Sequence, residues 1–374
     1  MLSKPGLVVA VLLTAVFSGC TLPRGAAMQS EILSNADDKT PSFAHYPVDS
    51  KLLSELSDWP AAKSAAAKRS WIKGGSGGAG QVLAAGDTVA LSIWEGGQNK
   101  LLTSEGAPTT QIAPTTVANN GQIFVPYVGA VKVSGLSIEA AREKVQQSVT
   151  ALIPEAQVQL AATPGKGNAV SLIGGVSNPG TIPLVDRSLT VLGAISEAGG
   201  VQASIENPQV RLYRGGKVYE TSMQRVLDDP ALDTGLRPGD KLMVLKDDRN
   251  FLSLGAAGVE KIIPFPKDHV NALEAVTLAG GINDSRANPK GVLILREYPA
   301  SAVRSDATQG PQNARVVFSM DLTTSEGLFS AQNFEVQPND LVLATESALV
   351  NTRTILGLFG STLGLARTAD AVAN

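Results

Sequence analysis

The feature that most constrains this chain is that it repeats itself. Residues 170–200 read VSLIGGVSNPGTIPLVDRSLTVLGAISEAGG, and residues 251–281 read FLSLGAAGVEKIIPFPKDHVNALEAVTLAGG. Gly174 maps onto Gly255, Leu192 onto Leu273, Gly199-Gly200 onto Gly280-Gly281 and Asn207-Pro208 onto Asn288-Pro289, each 81 positions later. A fixed period kept through apolar, glycine and proline positions means one supersecondary unit used twice. In each copy two strands frame a turn, and Thr190 or Asn271 is placed to cap a short helix. The glycine pair then ends that helix, because the position after a helix favours a left-handed residue. A further strand follows, at 211–216 and 291–297. Each copy closes on a turn-plus-strand element, LRPGDKLMVL at 236–245 and VQPNDLVLA at 336–344. The same device occurs upstream as AAGDTVALSI at 84–93, which predicts three related β-rich modules in series.

The first module spans about 81–165. Ala85-Gly86-Asp87 opens an alternating run that puts Val89, Leu91 and Ile93 on one face. Asn119-Asn120-Gly121 is a tight-turn sequence, since Asn and Gly tolerate positive φ, and it predicts a hairpin there. Ile123 and Val125, then Val131 and Val133, alternate after it. The stretch 98–116, rich in Thr, Ala, Pro and Gln, reads as a surface loop. Ser137 is a good N-cap with Glu139 in the first turn, and Ile138, Ala141, Val145 and Val149 recur at helical spacing until Pro154. A last strand alternates through Val158 and Leu160.

The two ends differ from the body. Lys4 and the apolar run Leu7 to Phe17, followed by Ser18-Gly19-Cys20, form a signal peptide too short to span a bilayer. Cys20 is the only cysteine, and its place resembles a lipobox, in which cleavage leaves it as the lipidated first residue; Thr21 after it resembles the outer-membrane rather than inner-membrane sorting signal. The bland alternative is an ordinary signal peptide with a chance cysteine. Residues 20–80, ending in GGSGGAG at 74–80, have linker composition. Leu52, Leu53, Leu56 and Trp59 suggest one short helix, and Trp71 a local docking residue. At the other end Leu349, Leu356 and Leu363 recur every seven residues, with Phe359 beside them. Gly357, Gly360 and Gly364, with Arg353, lie mostly on the opposite side of a helical wheel. A helix of about 25 residues would reach about 37 Å, enough for a bilayer core of about 30 Å. Arg353 and Arg367 make it a poor solitary span, but it suits several copies with small faces together and leucines toward lipid. A helix packed on its own domain fits the residues of this segment equally well.

Catalytic chemistry finds little support. His45 and His269 are the only histidines, there is no His/Cys cluster with metal-ligand spacing, and Asp87, Asp240 and Asp340 follow turns where Asp usually bonds neighbouring backbone. No enzyme activity and no cofactor is expected. The net charge of −3 and the lack of clustered Lys and Arg argue against a nucleic-acid partner.

Together, the lipobox at Cys20, AGDTVALSIWEGG at 85–97, NGQIFVPYVGAVKVSGLSIEAA at 120–141 and the repeats with NPG and AGG resemble the polysaccharide biosynthesis/export family of Gram-negative outer-membrane lipoproteins. The second repeat departs from the pattern, with Val259-Glu260-Lys261 where the first has NPG. The resemblance implies an α+β protein of serial β-rich modules, a polysaccharide-export domain plus two β-grasp SLBB domains, ending in a C-terminal amphipathic transmembrane helix. The expected division is a signal peptide 1–19, a lipidated tether 20–80, the export domain 81–165, SLBB domains 168–248 and 249–346, and the barrel-forming helix 347–374. It further implies a homo-oligomeric ring, an octamer, that conducts a capsular or extracellular polysaccharide across the outer membrane. Its bulk would lie in the periplasm and dock on an inner-membrane polysaccharide co-polymerase or ABC exporter component. The site residues are then Cys20 for lipidation, and Leu349, Arg353, Leu356, Gly357, Phe359, Gly360, Leu363, Gly364 and Arg367 for the pore helix. The rival reading is a non-pore periplasmic sugar-binding or adaptor lipoprotein. Tight sugar sites commonly present aromatic faces, yet all three tryptophans precede the repeats, which favours conduction. In that setting Asp87 and Glu95 are turn and interface residues.

Overall fold

The computed structural model describes residues 25–34, 41–60, 62, 70–74, 80–95, 109–185, 188–283, 285–304 and 309–348. Cys20 and the whole segment 349–374 lie outside the described residues. The chain forms two compact units. One comprises 67–247 with 266–268; the other comprises the N-terminal residues to 66, 248–265 and the remainder from 269. In chain order the first elements are α1 (Gln29–Ile32), β1 (Ala44–Pro47) and α2 (Ser50–Leu56), all belonging to the second of these units.

The first module holds β2 (Thr88–Trp94), β3 (Thr109–Thr116), β4 (Gln122–Val125), β5 (Gly129–Lys132), α3 (Ile138–Thr150) and β6 (Gln157–Thr163). Its main sheet has the order β3-β2-β6, with both pairings antiparallel. Val89, Leu91 and Ile93 point into the core as their alternation dictates, against Ala141, Val145 and Val149 of α3. Ser137 caps that helix by accepting from Ala140 N–H at 3.1 Å. The Gln146 amide then ties helix to strand, donating to Ala156 C=O and accepting from Val158 N–H.

Two expectations for this module need correction. The 109–116 part of the supposed surface loop is a strand. Val89 pairs with Thr115 and Leu91 with Ile112, so Ala113 and Pro114 together oppose Ala90. This bulge is where a strand accommodates a proline that has no N–H to donate. The hairpin, moreover, does not fold at Asn119–Gly121. The tight turn itself is there, closed by Gly121 N–H on Ala118 C=O and by Ala118 N–H on Gln122 C=O with Gly121 at φ 79°, but it delivers the chain into β4 without pairing β3 to it. The hairpin proper joins β4 to β5 across Pro126–Val128, with Val125 opposite Gly129.

The first repeat follows as β7 (Ala169–Ile173), β8 (Gly180–Pro183), α4 (Val191–Glu197), β9 (Gln209–Arg214), β10 (Lys217–Ser222), α5 (Met223–Asp228) and β11 (Lys241–Leu245). Its sheet order is β10-β9-β11-β7-β8, with β11 and β7 parallel. Trp71 docks on it, its indole N–H donating to Leu232 C=O at 2.8 Å. The second repeat contains β12 (Asn250–Gly255), β13 (Lys261–Pro264), β14 (Val270–Asn271), α6 (Ala272–Leu278), β15 (Ala287–Glu297), β16 (Arg315–Met320), α7 (Ser325–Asn333), β17 (Glu335–Val336) and β18 (Leu341–Glu346). Its sheet order is β1-β16-β15-β18-β12-β13, with β12 and β18 forming a parallel pair at the place matching β7 and β11. The repeat is therefore structural as well as textual. Thr190 and Asn271 cap α4 and α6, and Gly200 and Gly281, both at positive φ, donate to Ile195 C=O and Val276 C=O at 2.9 Å. The second copy keeps the corresponding backbone contacts without NPG. Gly258 and Val259 N–H bond Gly281 and Ala279 C=O, as Ser177 and Asn178 bond Gly200 and Ala198, because those contacts are made by backbone alone.

The second repeat also carries an addition. Strand β1 joins its sheet edge in parallel, Ala44 opposite Val316 to Pro47 opposite Ser319. Helix α2, capped by Asp49 on Leu52 N–H, follows it. Trp59 is then buried edge-on between Tyr46 and Tyr298, at ring centroids 5.3 and 5.8 Å. Residues 44–59, read from composition as linker with one helix, thus complete a core.

Candidate functional site

The three Pro/Ala-Gly/Asn-Asp turns are the most conspicuous polar construction among the described residues. In each, the aspartate accepts from the backbone N–H three residues earlier at 2.8 Å: Asp87 from Ala84, Asp240 from Arg237, Asp340 from Gln337. All three carboxylates are buried, and a buried charge needs partners. Asp87 takes neutral ones: Gly165 N–H at 2.8 Å and the Asn168 amide at 3.1 Å, which also donates to Val82 C=O. It is the joint at which the first module meets the first repeat. In the repeats the partner is an arginine from the neighbouring strand. Arg214 on β9 donates through Nε to both oxygens of Asp240 and through Nη2 to Gly235 C=O. Arg296 on β15 does the same to Asp340 and to Glu335 C=O, exactly 100 positions beyond Gly235.

The second arginine is the more deeply enclosed. Its side chain is 3% exposed against 13% for Arg214, and its guanidinium packs on both Phe318 and Phe334, 5.3 and 5.1 Å from their ring centroids, the two rings touching each other edge-to-face at 5.0 Å. Burial pulls Arg296 toward neutrality, but Asp340 more than offsets it and holds the guanidinium firmly protonated. Burial pushes the Asp340 carboxyl upward, against the pull of Arg296. Bidentate geometry and the Gln337 N–H keep the pair ionic. These aspartates are structural nodes with every partner inside the fold. Sequence reasoning had their turn role; the arginines it did not find, because RLYR and LRE look like ordinary strand residues until the sheet is assembled.

The exposed groups suited to recognition lie elsewhere. At the β4–β5 hairpin Phe124 and Tyr127 are 65% and 66% exposed, and Tyr127 sits at φ 65°. A bulky residue held in the left-handed region costs energy and marks a constrained position. An open cleft of about 700 Å³ in the second repeat's unit is lined by Phe43, Glu297, Arg315, Asn339 and neighbours. His269 pairs with Glu335 at 2.7 Å and His45 bonds Ser319 at 2.8 Å, so both histidines are engaged in local contacts. Glu95 is buried. Among the described residues no group of His, Cys, Asp and Glu is arranged to hold a metal, and no helix is long and apolar enough to cross a membrane. The lipidation residue Cys20 and the pore-helix residues from Leu349 to Arg367 lie outside the described residues.

Comparison with known proteins agrees with these modules. Residues 78–162 match the family described as polysaccharide biosynthesis/export protein, and residues 168–244 match the SLBB domain. The chain is similar to the capsule polysaccharide export protein BexD of Haemophilus influenzae, 29% identical, covering 77% of this chain and 76% of that one. It is also similar to the capsule polysaccharide export outer membrane protein CtrA of Neisseria meningitidis, 26% identical over 72% and 74%. The Vi polysaccharide export protein VexA/TviF of Salmonella typhi is 24% identical over 94% and 97% of the two chains.

Proposed function

We propose, from the premise that this chain carries a polysaccharide biosynthesis/export domain followed by an SLBB domain, that it is the outer-membrane channel component of a polysaccharide exporter. The observation that carries the reading is the serial order: export module, first repeat, and a second repeat of the same topology, in a chain similar along most of its length to named capsule exporters. Cys20 is the lipid anchor in the outer membrane. The segment 347–374 forms an amphipathic helix, and copies of it from a homo-oligomeric ring line the pore. The glycan passes a polar lumen without covalent change, and the driving force comes from an inner-membrane partner.

The export module is the periplasmic end of this device. Its hairpin tip, Phe124 and Tyr127, supplies the exposed aromatic contact to the inner-membrane component. Nothing in the two repeats favours the sugar-binding alternative through tryptophan: Trp59 is buried, Trp71 packs against the first repeat's core, and Trp94 is half-buried on β2. Electron microscopy of detergent-extracted protein tests the proposal. Rings with a central cavity are expected; uniform monomers would refute the channel.

A further inference from the structure

The end of the last strand is joined to the beginning of the described chain. Glu346 closes β18 with its side chain 3% exposed. Its carboxylate accepts from Ala26 N–H at 3.2 Å, across 320 residues of sequence, and lies 3.7 Å from Arg286 Nε. Its own N–H donates to Ala27 C=O at 3.1 Å, and Ser347 N–H donates to Arg286 C=O at 2.8 Å. Gly25 completes the arrangement: the Arg286 guanidinium occupies the space where a Cβ on Gly25 would stand. Ending a strand on an apolar residue would avoid burying a carboxylate. A buried charge that bonds both a distant backbone and an arginine fixes one geometry instead.

That geometry constrains both ends of the chain. A peptide spans at most about 3.3–3.6 Å per residue. Cys20, six residues before Ala26, therefore lies within about 20 Å of it, and Leu349, three residues after Glu346, within about 10 Å. We propose that the corner formed by Gly25–Ala27, Arg286 and Glu346 faces the lipid surface of the outer membrane. Glu346 and Arg286 are its positioning residues, a clasp that obliges the acylated end and the C-terminal segment to enter the same patch of bilayer. The membrane part of this proposal rests on the reading of Cys20 and 347–374 given above; the clasp itself does not. Arg286, 44% exposed, and the exposed Lys290 give the corner cationic groups suited to anionic headgroups. The opposite end of the same sheet, at Glu297 and Arg315, is separated from it by the run of β18 from Glu346 to Leu341 and the last two residues of β15, roughly 24 Å, because an irregularity between Ala287 and Val292 shortens β15.

The test uses full-length acylated protein in vesicles of phosphatidylethanolamine and phosphatidylglycerol that contain a headgroup-attached quencher. Cys20 is blocked by acylation, so a cysteine introduced by Lys290→Cys or Arg315→Cys is the one free thiol and carries the fluorophore. Quenching at 290 at least threefold stronger than at 315 is expected; equal quenching, or stronger quenching at 315, overturns the membrane-facing assignment. Glu346→Gln and, separately, Arg286→Met should reduce that ratio toward one while acylation is retained; an unchanged ratio in both denies them the positioning role. In a Cys20→Ser background, Ala27→Cys with Ser347→Cys should still cross-link through a short bis-maleimide. Failure to cross-link overturns the clasp. Failure of the wild-type protein to acylate or to bind vesicles, with the cross-link intact, refutes the anchor reading instead.

Discussion

Replacing Asp340 with Asn separates the two aspartate–arginine nodes by their burial. The substitution keeps an oxygen for the Gln337 N–H but sets an amide against the Arg296 guanidinium, whose side chain is 3% exposed and enclosed by Phe318 and Phe334. Removing one partner of a buried pair leaves an uncompensated charge and costs about 3–5 kcal/mol. Asp240→Asn acts on an arginine that is 13% exposed, so water recovers part of the loss and about 1–3 kcal/mol is expected. With a urea m-value of about 2 kcal/mol/M, the first change lowers the unfolding midpoint of its unit by about 2 M and the second by about 1 M. Replacing both Arg296 and Asp340 by apolar residues of similar volume should recover most of the first loss, because the desolvation cost leaves with the charges. Urea titrations read by tryptophan fluorescence suit this comparison, since Trp59 reports the unit of the second repeat and Trp71 and Trp94 the unit of the first. A loss under 1 kcal/mol for Asp340→Asn, or a larger loss for Asp240→Asn, would refute the reasoning from burial.

Three other outcomes are expected. Tyr127→Gly should raise stability by about 1 kcal/mol by relieving the positive φ, yet reduce surface polysaccharide if the hairpin tip meets the inner-membrane partner; thermal melts and capsule staining measure the two effects. Leu356→Asp combined with Leu363→Asp should abolish carbonate-resistant membrane insertion of the tail, and full insertion would contradict the lipid-facing orientation. Ser50 donates twice to Glu326, which holds that carboxyl below the ordinary glutamate range. A depressed pKa means the contact's contribution is present above the unfolded value and is lost as pH falls through the folded one. Glu326→Gln should therefore flatten the stability profile below about pH 4.3, which denaturation at graded pH would check.

Most of the fold's periodic features were legible. The apolar stripe of α3, the face of β2, the caps at Thr190 and Asn271 and the glycine pairs are local patterns, set by residues within a few positions of one another. What was missed depends on distance or on an improbable conformation. Strand β1 is four residues long and pairs with a strand some 270 residues away. Strand β3 contains Pro114, which counts against a strand until the bulge accommodates it. The hairpin was misplaced because Asn119-Asn120-Gly121 carries the denser signal of positive φ, whereas at the hairpin that conformation falls on Gly129 and on a residue with no such preference, Tyr127. Arg214 and Arg296 could be recognised as ion-pair partners only after β9 and β15 had been laid beside the closing turns.

Strand β1 also dictates an order of events. His45 bonds Ser319 across 274 residues, and closing a flexible loop of that length costs about 5 kcal/mol in chain entropy. The unit made mainly of 67–247 lies inside this loop and uses no residue from the far ends. Once folded, it replaces most of the flexible chain with a compact body and shortens the search that remains. The second unit cannot complete its sheet until β18, ending at Glu346, is available to join β15 to β12, so it closes last, when nearly the whole polypeptide has been delivered. A chain stalled during secretion before β18 would thus carry one finished unit and open strand edges at β15 and β12, the state most exposed to mispairing with another copy.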